Sequence, residues 1–255
     1  MSGTLALQQT AQAEILESAS PQIESSITAR RQQAEKGTVP AAAKTYLDKL
    51  ALEESLKLVQ NIFLLQATAD RVVLFAGVDS RSGCSRICAC AAEILACNVS
   101  SSVCLVDANF RSPSLSESFR TPNQHGLTDA LRGDGPIREF TTPLHSHNLW
   151  LLSCGPAAEK SIGLLSSEKM KTRISDLRNE FDYVLIDSPP LNIYTDGLSL
   201  GKLSDGLVLV LEAHSTRREV ALRVTEDLRT AQVKILGAVL NKRTFPIPQS
   251  IYQKL

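Results

Sequence analysis

At 255 residues, with 27 Lys and Arg balanced by 27 Asp and Glu, the chain can bury one substantial core and lacks the basic footprint of a nucleic-acid binder. No stretch approaches the roughly eighteen apolar residues of a membrane-spanning helix, and the polar start MSGTLALQQTAQAE does not read as a secretory leader. Six cysteines, clustered rather than regularly spaced, suit reduced thiols; a cytoplasmic protein with no nucleic-acid partner and no direct membrane insertion is expected.

Residues 1–40 are rich in Ala, Gln, Ser, Glu and Thr, with no aromatic residue, and cannot bury enough apolar surface to offset their ordering entropy. They are expected to form a mobile arm, and 41–255 a single domain. From Ala41, the spacing of Leu47, Leu50, Leu56, Val59 and Phe63 predicts an amphipathic helix. Apolar, β-branched runs then alternate with helical patterns. RVVLFAG precedes the helical CSRICACAAEILA; SSVCLVD follows; LWLLSCG precedes SSEKMKTRISDLRNEF; DYVLID follows; GLVLVLEA precedes TRREVALRVTEDLRTAQ; VKILGAVLN comes last. Near-continuous apolar strands separated by helices predict a three-layer α/β fold, a mostly parallel sheet flanked by helices. In the helix from Thr216, Val220, Val224 and Leu228 form the inward stripe, while Arg217, Arg218, Glu219 and Asp227 face outward.

Ligands of such folds gather at the carboxyl ends of the strands. Asp107 ends one apolar strand and Asp187 another, where a carboxylate can hold Mg²⁺ beside nucleotide phosphates. The plainer alternative for each is an Asp that caps a turn. After the first strand, GVDSRSGCS has the outline of a phosphate-binding loop, GxxxxGK[ST]. Val78 stands at the first glycine position, Gly83 at the second, Cys84 at the lysine and Ser85 at the hydroxyl. A working loop wraps phosphate in backbone N–H groups at a helix N-terminus, and its Lys reaches the β and γ phosphates. Arg81 and Arg86 are candidate replacements for that Lys, or simply solvated side chains. Cys88, Cys90 and Cys97 fit buried helix positions better than a metal site, and His145 and His147 read as loop residues.

Taken in order, several stretches resemble the bacterial tyrosine kinases of capsule and exopolysaccharide synthesis, the CpsD/CapB type, within the MinD/ParA-like P-loop ATPases. They are the loop at 77–86, LVDANFRSPSL, GLTDALRGD, LLSCGPAAEKSIGLLSSEKM, FDYVLIDSPPLNIYTDGLSL and LGAVLNK, and together they cover about residues 50 to 245. The resemblance implies a P-loop NTPase fold with ATP and Mg²⁺ as cofactors. It implies Asp107 and Asp187 as catalytic, Mg²⁺-binding carboxylates and Ser85 as a direct Mg²⁺ ligand. Val78, Asp79, Ser80, Arg81, Ser82, Gly83, Cys84, Ser85 and Arg86 would cradle phosphate, Asp196 would support the nucleotide end, and Asn241 would contact adenine. It further implies phosphoryl transfer to tyrosine, a homo-oligomer, and a membrane-spanning polysaccharide co-polymerase as partner, which would hold the chain at the inner face of the membrane.

The departures from that pattern bear on activity. Cys84 replaces the lysine, Asn109 replaces a second Asp, Glu54, Lys57 and Gln60 stand for the family's ExxRxxR helix, and the tail TFPIPQSIYQKL holds one tyrosine, Tyr252, as possible phosphoacceptor. Removing the partner of a sequestered charge costs about 2–5 kcal/mol, so impaired transfer is expected, with weak or absent ATP binding. Two other readings compete: a non-catalytic regulatory or scaffold partner of the co-polymerase, and a MinD/ParA-like positioning ATPase.

Overall fold

The computed structural model describes residues 51–65, 71–144, 148–156 and 159–243. Seven strands form one sheet: β1 (Val72–Gly77), β2 (Val103–Asp107), β3 (Thr142–Pro143), β4 (Leu149–Leu152), β5 (Tyr183–Ser188), β6 (Gly206–Glu212) and β7 (Ile235–Asn241). Their spatial order is β3-β4-β2-β5-β1-β6-β7, all pairs parallel except β3 with β4. The predicted three-layer α/β class is the observed one. The antiparallel β3, two residues long, carries no periodicity and was invisible in the sequence.

Alternation along β1 explains the layers. Val72, Leu74 and Ala76 enter one core while Val73 and Phe75 enter the other, every one of them fully buried. A strand buried on both faces cannot alternate apolar with polar, which is why these segments read as unbroken apolar runs. The helices are α1 (51–59), α2 (Cys84–Asn98), α3 (Leu115–Phe119), α4 (Leu127–Arg132), α5 (Glu168–Glu180), α6 (Asp196–Gly201) and α7 (Arg218–Thr230). On one face, α1 and α2 cover the sheet through Leu56, Val59, Cys88, Ala92 and Leu95. On the other, α4 to α7 contribute Leu131, Met170, Leu177, Leu200, Val224 and Leu228.

The helix expected from Ala41 is described from residue 51 and closes in a π-helical turn, Gln60–Leu64. Leu47 and Leu50 lie outside the described residues, as does the 1–40 arm. In α7 the predicted stripe holds: Val224 and Leu228 are buried, and Val220 packs against the same core. None of the six cysteines is in a disulfide. Cys88 is buried as expected, Cys90 is half-buried, and Cys97 is exposed, a correction. Position 97 lies in the last turn of α2, beyond the face that meets the sheet.

Two side chains pin connections. Arg173 of α5, only 4% exposed, donates to the carbonyls of Ala130, Gly133 and Gly135 at 2.8–2.9 Å and to Asp176 at 2.9 Å. Asp205, before β6, accepts from the backbone N–H groups of Arg71 and Val72 and from both guanidinium ends of Arg178. The first fixes the connection after α4; the second ties the start of β1 to its neighbour.

Candidate nucleotide site at the carboxyl end of the sheet

β1 turns at Gly77 into the loop that starts α2. A side chain at Gly77 would put its Cβ 2.2 Å from the Ser82 hydroxyl. The glycine this turn uses therefore lies one residue before Val78, where the sequence pattern sought it. Val78 continues the strand: its side chain is in the core and its N–H donates to Val210 O at 2.9 Å. Arg81 and Gly83 both take left-handed backbone, φ +65° and +83°. Such left-handed residues inside a turn gather successive N–H groups on its concave side, a nest for anions. Those groups adjoin the N-terminus of the 15-residue α2, which has no side-chain cap. Ser80, Arg81 and Arg86 are exposed, Ser82 is buried and Ser85 is half-buried.

Cys84, at the lysine position, is buried. Burial pushes its thiol well above the ordinary cysteine value, and the Asp187 charge pushes it further. Cys88, one turn on, is raised by burial and by the charges of Asp187 and Asp107. Both are held as neutral thiols, unlike reactive cysteines at exposed helix N-termini.

Asp107 and Asp187 are register partners at the ends of β2 and β5, and both are fully buried. Asp107 accepts from the backbone N–H groups of Asn109, Ser114 and Leu115 at 3.1–3.2 Å. It caps α3, so the turn-capping alternative holds for this residue. Burial raises its pKa to about 6, against the pull of those three bonds. Among the described residues Asp187 closes no hydrogen bond of normal geometry on either oxygen. Burial, then the Asp107 charge, raises it to about 8; Ser85 and Cys84 lie near enough to pull it down without closing bonds of normal geometry.

An orphaned buried carboxylate beside a hydroxyl and a helix N-terminus fits a hard divalent cation, which takes oxygen ligands and keeps several waters. Asp187 and Ser85 would hold Mg²⁺, with Asp107 behind them. Among the described residues no three His, Cys, Asp or Glu side chains converge into an all-protein metal site. Magnesium, when bound, neutralises charge on phosphate oxygens.

The other candidates are tied to partners. Asp196, at the start of α6, pairs with Arg111 at 3.2 Å, and the Arg111 guanidinium lies 4.2 Å from the centre of the Tyr194 ring. Asp79 accepts from Asn192 Nδ2 at 2.7 Å through one oxygen and leaves the other buried without a partner. Asn241 Nδ2 donates to Ser82 O at 2.8 Å, and Lys242 Nζ donates to Arg81 O at 2.6 Å. Asn192, Tyr194 and Lys242 lie within the stretches that carry the resemblance, but their roles were not legible there, since each acts through a contact distant in sequence. Tyr252, His145 and His147 lie outside the described residues.

No family model matches the chain. Tyrosine-protein kinase YwqD of Bacillus subtilis is 33% identical over 139 residues, 54% of this chain and 59% of that protein. Tyrosine-protein kinase CpsD of Streptococcus agalactiae is 29% identical over 139 residues, 54% and 61%. The chain thus spans about three-fifths of the length of these curated relatives. Among solved structures, the chimerical protein CapA2B2 superposes with a TM-score of 0.69 at 23% identity, covering 76% of this chain and 85% of that one. Sequence and fold agree: over about half of its length the chain is similar to bacterial tyrosine-protein kinases, and it shares the fold of CapA2B2.

Proposed function

We propose that the chain binds Mg·ATP at the carboxyl ends of β1, β2 and β5 and serves capsule or exopolysaccharide synthesis, with phosphoryl transfer to tyrosine impaired. The observation that carries this reading is the buried, partnerless Asp187 beside Cys84, where the motif has lysine. The loop N–H groups orient the phosphates, Ser85 and Asp187 hold the cation, and Asp107 stiffens the end of β2. No lysine charge meets the β and γ phosphates, and Arg81 and Arg86 are the nearest replacements in sequence. Transition-state charge left without its cation typically slows such transfer by orders of magnitude.

Calorimetric titration of Mg·ATP into the protein tests this, alongside Asp187→Asn and Cys84→Lys. Weak binding that Asp187→Asn abolishes and Cys84→Lys strengthens by roughly 30-fold or more supports it. Binding indifferent to both substitutions rejects the site.

The same absence of lysine favours a second reading, a non-catalytic module whose output is protein contact. The partner in this reading is the one the resemblance implies, a membrane-spanning polysaccharide co-polymerase that would hold the chain at the membrane's inner face. No helix among the described residues is long and apolar enough to cross a membrane. Homo-oligomers and Tyr252 as phosphoacceptor belong to the catalytic reading. Phosphotransfer to Tyr252 by the wild type, lost in Tyr252→Phe, separates the two.

A further inference from the structure

We infer that Asn241 and Lys242, at the end of the edge strand β7, are positioning residues that clasp the phosphate loop from behind and hold its N–H groups toward the ligand. The inference deepens the nucleotide reading above and rests on it. Two consecutive loop carbonyls are taken by two consecutive side chains. Ser82 O accepts from Asn241 Nδ2 at 2.8 Å, and Arg81 O accepts from Lys242 Nζ at 2.6 Å. A held Ser82 carbonyl turns the Gly83 N–H of the same peptide the opposite way, the orientation a nest requires, while the Ser82 N–H keeps its long bond to Asp79 O.

The loop has little of its own to fix it. Its internal Ser82 N–H to Asp79 O bond is long, 3.4 Å, and Arg81 occupies left-handed backbone that disfavours a side-chain-bearing residue. The clasp is itself braced. Lys242 pairs with Glu212 at 3.1 Å, and Glu212 is the register partner of Asn241 across β6 and β7. Gly83 is fitted to it as well, since a Cβ there would lie 2.4 Å from Asn241 Nδ2. The resemblance makes Asn241 an adenine contact; the geometry spends its amide on the loop.

The two roles differ in what they recognise. A clasp acts on phosphate binding whether or not a base is attached, whereas an adenine contact acts on the base alone. Mg·ATP and magnesium tripolyphosphate are therefore titrated separately into the wild type, Asn241→Ala, Lys242→Met and Lys242→Arg, with thermal melts to verify folding. The clasp predicts that Asn241→Ala and Lys242→Met weaken both ligands in equal proportion, by about tenfold, and that Lys242→Arg preserves them. Asn241→Ala weakening ATP alone, or Lys242→Met changing neither ligand, overturns the clasp and leaves the nucleotide reading standing. A wild type that binds neither ligand overturns that reading, and the same variants on a Cys84→Lys background then decide the clasp. Silence there as well overturns both.

Discussion

Asp107 and Asp187 end adjacent parallel strands as register partners, yet three backbone N–H groups bond the first and none bonds the second. Two carboxyls in one dry layer cannot both ionise cheaply, and the one that closes no hydrogen bond of normal geometry is pushed furthest up.

A pH dependence of stability follows. A carboxyl whose folded pKa is raised binds more protons folded than unfolded, so its own contribution to stability is fully present below the ordinary carboxylate range and is lost as pH climbs toward about 8. Denaturation without magnesium is expected to show a midpoint falling from pH 5 to pH 8, with a slope of up to about 1.4 kcal/mol per pH unit. Asp187→Asn should flatten that slope and stabilise the protein at pH 8 by roughly 1–3 kcal/mol. A variant with the parental slope would show that Asp187 is hydrated and charged in the folded protein.

Thiol reactivity should sort by position in α2. Cys97 is exposed, so in the native protein it should be alkylated first although burial of its neighbourhood and Glu93 raise its pKa. Cys84 and Cys88 should react only on unfolding, since both are buried and held neutral. Peptide mapping after a timed pulse of iodoacetamide reads the order. Early labelling of Cys84 would mean that the loop is open.

Arg173→Met should destabilise the protein by about 2–4 kcal/mol, because it strands the carbonyls of Ala130, Gly133 and Gly135, while half-exposed Asp176 can turn to water. Arg173→Lys should recover only part of this, since an ammonium cannot reproduce the guanidinium fork. Urea midpoints give both values; a loss below 1 kcal/mol would show that water replaces the guanidinium.

Removing Arg111 leaves Asp196 buried without its cation. Arg111→Ala is expected to cost about 1–3 kcal/mol, and Arg111→Ala with Asp196→Asn to cost less than the sum. A double-mutant cycle by chemical denaturation measures the coupling, and additivity would place no interaction between them.

Much of the architecture was legible because burial on both sheet faces writes itself as uninterrupted Val, Leu and Ile. Asp107 and Asp187 were legible as acids terminating such runs. What the sequence hid depends on contacts between distant segments. Gly77 matters because Ser82 folds back over it, Asn192 because it reaches Asp79, and Lys242 because β7 ends behind the loop. Cys97 was misjudged because helical spacing identifies a face but not where the sheet beneath it stops.

Among the described residues β7 lies at the margin of the sheet, paired on one side only, with Leu240 57% exposed, and its end, with Lys242 just beyond it, grips the loop. The anion cradle is therefore moored to an edge strand, held by β6 alone among the described strands. Its competent population follows the fraying of that margin rather than global unfolding. Concentrations of urea that leave the core intact should already release the loop, and tight anion binding should in turn protect the edge strand from opening.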